Sequence, residues 1–420
     1  MQIRPLFFGI VAALAATGAS SLAQQSPNNT QQTPSIIQGT LIESGSVPFH
    51  LKATITEGHD LSPVAKVEIY WVAADQWRRT IESSKFSQIL IVNGVKVFEQ
   101  DSDSYFPLGL ETLVTAMVDP KPLLDAYRPD NRLLTKANGA SSESGSICFD
   151  SSHRICLSSQ YGLMESVGVA GHSVDFMRYK EFHGKRIARR LVYTVSVGDF
   201  LTAQVTELKE LDHPNDGLFT IDQPTPREKQ IHSVSLQEAE LRDLAVEEPE
   251  IIWPQALDGA ITGKATFYLA IDRQGKLREV HPLETANERS NDSAIRQIMK
   301  WKFKQPIKDG VPVQAEGVMT FDLNTRAWGP KDILSDAEVR KLATNIVEPV
   351  VKPGTVPPDS VYKLWMAVDS DGIVIEQIAA GGPSQLAGPC GQALKQWHFS
   401  PLLENGQPRP YRAQVVFHIK

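Results

Sequence analysis

The sequence lacks a surplus of basic residues: 42 Lys and Arg stand against 49 Asp and Glu, which gives a formal net charge of −7 over 420 residues. Recognition of nucleic-acid phosphates needs a clear excess of Lys and Arg. A nucleic-acid partner is therefore not expected. Long apolar runs are also missing, because no stretch beyond the N-terminal segment approaches the about 18 apolar residues that a transmembrane helix needs. The sequence thus predicts no internal membrane span.

Catalytic signatures are absent as well. The chain contains no Gly-x-Ser-x-Gly, His-Glu-x-x-His or Walker motif, and its ten histidines are scattered. Sites of these kinds need a fixed spacing, because their nucleophile, metal ligands or phosphate-binding backbone must converge. We therefore expect a non-enzymatic protein with no cofactor and no metal site.

Residues 1–23 are typical of a cleaved signal peptide. Arg4 supplies the positive start, residues 6–16 form a short apolar run, and Ser21-Leu22-Ala23 places small residues at the cleavage site. An uncleaved membrane anchor is the alternative, but the run is short and no charged stop follows it. Residues 24–38 are rich in Gln, Asn, Thr and Pro, which predicts a flexible leader. We expect an exported, periplasmic protein.

Cysteine is scarce, with three residues in the whole chain. Cys148 and Cys156 bound a segment that is apolar at both ends and polar in the middle, which predicts two short strands joined by a turn. In an oxidising compartment this arrangement favours a Cys148–Cys156 disulfide. Two buried free thiols are the alternative, and a metal site is disfavoured by the wide spacing. Cys390 is expected to be a structural thiol.

The C-terminal half contains a duplication. Trp301-Lys-Phe303 recurs as Trp397-His-Phe399, and Gly310-Val-Pro312 recurs as Gly406-Gln-Pro408, in both cases 96 residues later. Each copy predicts a strand, an Asp-x-x-Gly turn, a second strand, a helix and a last strand. We expect two domains, at residues 235–328 and 334–420. A Ser-x-x-Glu capping box predicts a helix start at Ser235 in the first copy and at Ser335 in the second.

This order of motifs resembles the C-terminal domain of TonB-type energy transducers, over roughly residues 247–324 and 346–420. The resemblance implies contact with envelope proteins, for example an outer-membrane receptor or transporter component. In that family the last strand offers an edge to an extended partner peptide, which pairs through backbone hydrogen bonds. The residues carried over to such edges are Val318, Phe321, Leu323, Val415, Phe417 and Ile419. The long Pro-rich spacer of a working transducer is not visible here.

The sequence of the N-terminal half, residues 39–222, predicts a series of short strands. Apolar residues alternate over 49–55 and 67–73, and Asn93-Gly94 is the strongest hairpin signal in the chain. Helices are predicted over 108–118 and 121–127, with a break at Pro120. Strands connected by hairpins, with little helix, predict a strongly curved antiparallel sheet.

Several short motifs in this half resemble the LolA/LolB-like lipoprotein-carrier half-barrel. They are Glu68-Ile-Tyr-Trp71, Asp75-Gln-Trp77-Arg78, Asn93-Gly94 and Tyr179-x-x-Phe182-x-Gly184. The resemblance implies a concave apolar face that wraps lipid, and helices that plug it. Leu108, Leu110, Leu113 and Val114 fit such a plug, or an ordinary core helix. The ligand-lining candidates are Leu51, Ile69 and Trp71.

The sequence therefore predicts an α+β protein: an N-terminal curved antiparallel half-barrel with plug helices, then two small TonB-C-like β-β-α-β domains. The first functional hypothesis is protein–protein contact in the periplasm through edge-strand addition. The alternative is a carrier or binder of lipid or another apolar ligand in the half-barrel.

Overall fold

The computed structural model describes residues 39–126, 146–149, 155–158, 162–169, 172–195 and 199–419, except for residues 44, 61 and 258. The predicted signal peptide and leader lie outside these ranges. The chain divides into two compact units. Unit 1 contains the described residues up to Ser235 together with Ile271–Gly275 and Gln305–Ala315, and unit 2 contains the remaining C-terminal residues. No helix among the described residues is long and apolar enough to cross a membrane.

Unit 1 is built on an open antiparallel sheet, as predicted. Its strands are β1 (Phe49–Glu57), β2 (Pro63–Ala73), β3 (Gln76–Ser83), β4 (Gln88–Asn93), β5 (Lys96–Asp101), β6 (Ser146–Phe149), β7 (Ile155–Ser158), β8 (Met164–Val169), β9 (His172–Met177), β12 (Arg190–Val195) and β13 (Asp199–Glu210), and a separate small hairpin is formed by β10 (Lys180–Phe182) and β11 (Lys185–Ile187). The order across the sheet is β5-β4-β3-β2-β1-β13-β12-β9-β8-β7-β6. Neighbours follow one another along the chain except where β13 returns to β1 and where β12 pairs with β9 across the β10–β11 hairpin.

Two helices, α1 (Leu108–Val118) and α2 (Lys121–Ala126), follow β5. Helix α1 packs its buried Leu110, Leu113 and Val114 into the same core as the inward residues of the sheet. Gly109 permits this close approach, because a Cβ at that position would lie 2.8 Å from the Tyr193 ring on β12. Helix α1 thus covers the concave face, and the predicted helix is confirmed.

The C-terminal half repeats one arrangement twice. In chain order its elements are β14 (Ser233–Leu236), α3 (Glu238–Leu244), β15 (Thr262–Ile271), β16 (Leu277–Thr285), α4 (Asn291–Ile298), β17 (Ile307–Lys308), β18 (Val311–Pro312), β19 (Gln314–Asn324), β20 (Ile333–Leu334), α5 (Asp336–Leu342), β21 (Ala343–Asn345), β22 (Val361–Val368), β23 (Val374–Gly381), α6 (Ala387–Leu394), β24 (His398–Phe399), β25 (Leu402–Glu404), β26 (Gln407–Arg409) and β27 (Tyr411–His418). The first copy orders its strands β19-β15-β16, and the second copy orders them β20-β27-β22-β23.

The aromatic residues shared by the two copies are core residues, as expected. Trp301 and Phe303 are buried in the first copy, and Trp397 and Phe399 are buried in the second. One helix start was predicted wrongly. The capping box at Ser335 is present, whereas α3 begins at Glu238 behind Gln237, because the residues around Ser235 extend as strand β14.

The predicted cysteine hairpin is present in the backbone. Strands β6 and β7 pair with Cys148 opposite Cys156, and the Cys156 side chain is buried. The Cys148 side chain lies outside the described atoms, so the disulfide stays a prediction. Cys390 is buried, and this burial raises the pKa of its thiol to about 11, which suits a structural thiol.

Candidate functional site

Strands β3, β4 and β5 point polar side chains toward the concave face. Successive side chains of a strand alternate between the two faces, so Trp77, Arg79 and Ile81 share one face of β3. In the antiparallel register Arg79 lies opposite Leu90, and Leu90 lies opposite Glu99. Arginine and glutamate are rare at inward positions unless they are paired or functional. These positions therefore mark a candidate site.

A cavity of about 490 Å³ opens beside this row. Its size falls within the range of about 300–1,000 Å³ typical of small-molecule sites. The apolar lining includes Trp77, Leu90, Val92, Val97, Phe106, Ile231, Val311 and Val313. Polar side chains, including Arg79, Gln88, Glu99 and Glu111, reach the same space. The lining residues all belong to unit 1, so the cavity is a feature of that unit alone.

Gln88 connects the charged groups at the cavity wall. Arg79 donates from Nε and Nη2 to Gln88 Oε1, at 2.9 and 2.5 Å. The Gln88 amide nitrogen donates in turn to Glu99 Oε1 at 3.1 Å and to Asp101 Oδ1 at 2.9 Å. The Arg79 guanidinium also lies 5.4 Å from the centre of the Phe106 ring, within cation–π range. A neutral amide thus separates the arginine from the two carboxyl groups.

Burial shifts the pKa values of these groups. Desolvation, with the nearby Asp101 as the second cause, raises the pKa of Glu99 to about 8. Desolvation also raises the pKa of Asp101 and lowers the pKa of Arg79, since burial disfavours each charged form. Near neutral pH the Glu99 carboxyl is therefore mostly protonated and uncharged.

Residues 215–234 form a strap around the free edge of the sheet. On the convex face the buried Phe219 packs against Ile91 and Ile221. At the edge, the Thr225 hydroxyl accepts from the Glu99 N–H (2.8 Å) and donates to the Glu99 carbonyl (2.9 Å). On the concave face, the Ile231 N–H donates to the Glu99 carboxyl at 3.1 Å. The strap thereby protects edge strand β5 and forms part of the cavity wall.

Replacement of Thr225 tests this role of the strap. We expect Thr225→Val to destabilise unit 1 by about 1–3 kcal/mol, because it leaves two backbone groups of Glu99 without their partner. Amide hydrogen exchange at Glu99 and urea denaturation would measure the loss. Thr225→Ser keeps the hydroxyl and is the matched control. Equal stability of the Val and Ser variants would show that the hydroxyl does not hold the edge.

The predicted ligand-lining residues lie beside the cavity rather than in it. Leu51 is fully buried in the core of unit 1. Ile69 and Trp71 line a separate space of about 20 Å³ under α1, which has room for about one water molecule. This small space and the large cavity share Trp77, Arg79 and Thr115 in their linings. The three predicted residues therefore lie on β1 and β2, next to the strands that line the large cavity.

The predicted partner-binding residues lie largely in the interior. Leu323, Val415 and Phe417 are buried, and Val318, Phe321 and Ile419 are half-buried. Strand β27 lies between β20 and β22, so it is not the outermost strand of its sheet.

Helix side chains also bind the backbone of both last strands. The Val416 N–H donates to Asp336 Oδ1, and Arg340 donates to the Val416 carbonyl, both at 2.9 Å. In the first copy the Thr320 N–H donates to a Glu238 oxygen at 3.1 Å, and Arg242 donates to the Thr320 carbonyl at 2.7 Å. Each acid–arginine pair thus occupies backbone groups that an added strand would need.

Sequence reasoning missed Arg79, Gln88 and Glu99. One signal could have found them: the period-two alternation of β3, β4 and β5 places these polar residues on the face that carries Trp77 and Leu90. The strap and the Gln305–Ala315 segment also contribute lining residues such as Ile231 and Val313. They are distant in sequence, so no local pattern could have assigned them to the cavity.

Comparisons with known proteins give structural likeness only. No family model and no curated protein sequence matches the chain. A LolA superfamily protein of Nitrosomonas europaea is similar with a TM-score of 0.31 and 13% identity, over 45% of this chain and 98% of that chain. A DUF1329 family protein of Desulfovibrio piger gives 0.28 and 10%, over 41% and 89%. A domain named for outer membrane lipoprotein sorting, from Vibrio parahaemolyticus, gives 0.26 and 11%, over 41% and 88%.

The predicted TonB-type resemblance is not tested by these comparisons. Because all three TM-scores lie well below 0.5, we derive the function from the cavity and its residues alone.

Proposed function

We propose that this protein binds an amphiphilic or otherwise apolar ligand in the cavity of unit 1, and that it serves as a carrier or binder in the cell envelope. The observation that carries the proposal is a cavity of about 490 Å³ in which apolar walls surround a few convergent polar groups. Such a combination is typical of ligand sites, because apolar walls supply affinity and polar groups fix the ligand's orientation.

The walls suit a hydrocarbon chain. Trp77, Leu90 and Ile231 each expose less than a tenth of their surface, yet all three line the cavity. Removal of apolar ligand surface from water contributes about 25 cal/mol per Å², so a chain along these walls gains affinity with its length. Gly94 and Val95, at the tip of the β4–β5 hairpin, also line the cavity, and Val95 is 93% exposed.

The envelope location rests on the predicted signal peptide, and it can be tested by itself. Cell fractionation of the full-length chain, with N-terminal sequencing of the purified protein, should find a chain that begins near residue 24 in the periplasmic fraction. Recovery of intact Met1 in the cytoplasm would contradict the location without affecting the binding proposal.

A substitution that fills the cavity tests the binding proposal. Val97 lines the cavity on β5, so Val97→Trp should lower affinity for a fluorescent fatty-chain probe by at least about tenfold, since overpacking excludes the ligand. Gln100→Trp is the matched control, because Gln100 is exposed on the opposite face of the same strand. Native mass spectrometry of gently purified protein would show any ligand that remains bound.

The outcomes of this experiment separate clearly. Loss of probe binding in Val97→Trp, with Gln100→Trp unchanged, supports the cavity as the site. Equal affinities of both variants and the parent would place the probe elsewhere. The absence of binding in the parent, for every chain length tried, would overturn the proposed function.

Protein–protein contact through the C-terminal copies is the second candidate. Acid–arginine pairs bind the backbone groups of Thr320 and Val416. An added strand would have to displace these pairs, which disfavours strand addition at β19 and β27. Strand β23 is one of the two outermost strands of the second copy's sheet, and its residue Ile378 is half exposed. A strand-addition partner would therefore meet fewer obstacles at β23 than at β27. That the protein is not an enzyme stays a prediction.

A further inference from the structure

Arg79 is a cation of the cavity wall that has no carboxylate in direct contact among the described residues. Its Nε and Nη2 share one acceptor, the neutral amide oxygen of Gln88. None of the described residues accepts a hydrogen bond from its Nη1, and no described carboxylate forms an ion pair with it. Arg79 nevertheless lines the cavity. A guanidinium carries five N–H donors, so several of them remain to serve a ligand.

The neighbouring carboxyl groups are engaged by other donors. Asp101 accepts from Gln88; burial raises its pKa, and Arg273 and Arg79 oppose that rise electrostatically. Glu111 on α1 accepts from the Ser233 hydroxyl at 2.8 Å and from the Gln314 amide at 3.0 Å. The Glu99 carboxyl accepts from Gln88 and from the strap. Burial lowers the pKa of Arg79, and Glu99, Glu111 and Asp101 oppose that effect through space, but none of them is bonded to its guanidinium.

We infer that the ligand is an acidic amphiphile, whose carboxylate or phosphate head binds the Arg79 guanidinium while its hydrocarbon chain lies along Trp77, Leu90 and Val97. This inference rests on the proposed function and adds the chemical class of the ligand. Arg79 is half-buried with no described carboxylate bonded to its guanidinium, and a planar guanidinium matches both oxyanions in bidentate geometry. The head group therefore supplies the direct ion pair that Arg79 lacks among the described residues.

The experiment compares three probes with the same chain at pH 7: dodecanoate, dodecyl phosphate and dodecanol, each below its micelle concentration. Isothermal titration of the full chain should show roughly tenfold to hundredfold tighter binding of at least one anion than of the alcohol, as expected for a charge-assisted hydrogen bond. The anion that binds more tightly distinguishes a carboxylate ligand from a phosphate ligand.

Two variants assign the preference to Arg79. Arg79→Gln should bind the anions and dodecanol equally, with dodecanol affinity unchanged as proof of an intact cavity. Arg79→Lys keeps the charge but loses the planar fork, so it should retain a weaker preference. It also serves as the informative variant if Arg79→Gln does not fold.

Each outcome bears on one claim. Equal affinity of the parent protein for anions and alcohol would overturn the inference and leave the proposed function standing. Binding of none of the three probes would overturn both. A preference that survives in Arg79→Gln would place the anion at another cation of the lining, such as Arg227 or Lys308, and would also overturn the inference.

Discussion

Arg296→Met is expected to destabilise unit 2 by about 2–4 kcal/mol. Arg296, on α4 of the first copy, forms ion pairs with Asp369 and Asp371 in the turn of the second copy. Asp369 is completely buried and also accepts from the Asp371 and Ile373 N–H groups. Loss of its cation therefore leaves a buried charge without a counter-charge, for which the usual cost is about 3–5 kcal/mol. We expect less than the full cost because Arg296 is one-third exposed. Native-state hydrogen exchange in β22 and α4 would measure the loss.

The duplication supplies a matched control for this variant. Gln392 occupies the position in the second copy that Arg296 occupies in the first, and it is exposed. Gln392→Met should therefore change the stability by less than about 0.5 kcal/mol. In an Asp369→Asn background the effect of Arg296→Met should shrink, because the buried charge is gone. An undiminished effect in that background would show that Arg296 acts through packing instead.

In the contact between the two copies, the first copy supplies the cations and the second copy supplies the acids. In and beside α4, Arg289, Arg296 and Lys300 pair with acidic residues of the second copy. The three equivalent positions around α6, each 96 residues later, are all glutamine: Gln385, Gln392 and Gln396. The second copy therefore lacks the charges with which the first copy binds its neighbour.

Much of the fold could be predicted from the sequence because its signals are local. Period-two alternation located the strands of the half-barrel, and the repeated Trp-x-Phe motif located the core aromatics of both copies. The helix start near Ser235 could not be predicted well, since a four-residue capping pattern competes with the tertiary preference of the same residues for a strand.

The candidate site was harder to predict than the fold. The resemblance predicted a ligand site at the centre of the sheet, at Leu51, Ile69 and Trp71. There α1 covers the concave face and leaves little space. The open space lies further out, beside β3 to β5, where the lining includes the strap and a segment of the first repeat. Which part of a curved sheet a helix fills depends on packing between distant residues. Local sequence patterns do not encode that choice.

Glu99→Gln is expected to make unit 1 more stable at alkaline pH. Glu99 has a pKa of about 8 in the folded protein, above its ordinary value of 4.5, chiefly because burial disfavours the carboxylate. Between these two values the folded state holds a proton that the unfolded state has released. The contribution of Glu99 to stability is therefore fully present below about pH 4.5 and declines as pH rises to about 8, by at most about 1.4 kcal/mol per pH unit.

The variant removes this decline because glutamine does not titrate. Its amide can still donate toward Asp101 as the protonated Glu99 carboxyl does, so the two proteins should be similar near pH 5. The difference in unfolding free energy should then grow up to about pH 8 and remain constant above it. Asp101, whose pKa is also raised by burial, titrates in the same direction in both proteins. Hydrogen exchange of β4 and β5 at pH 5, 7 and 9 would measure the difference.

The affinity for an anionic ligand should depend on the protonation of Glu99. Ionised Glu99 adds a negative charge on the far side of Gln88. Because this charge interacts favourably with Arg79, it reduces the electrostatic gain from an anionic head group at the same guanidinium. The affinity of the parent protein for dodecanoate should therefore fall as pH rises through about 8, whereas Glu99→Gln should bind it equally at pH 7 and pH 9. The cations Arg227 and Lys308 and the acids Glu111 and Asp119 line the cavity in both proteins, so the comparison cancels their effects. A fall of equal size in the two proteins would assign the pH dependence to one of those groups rather than to Glu99.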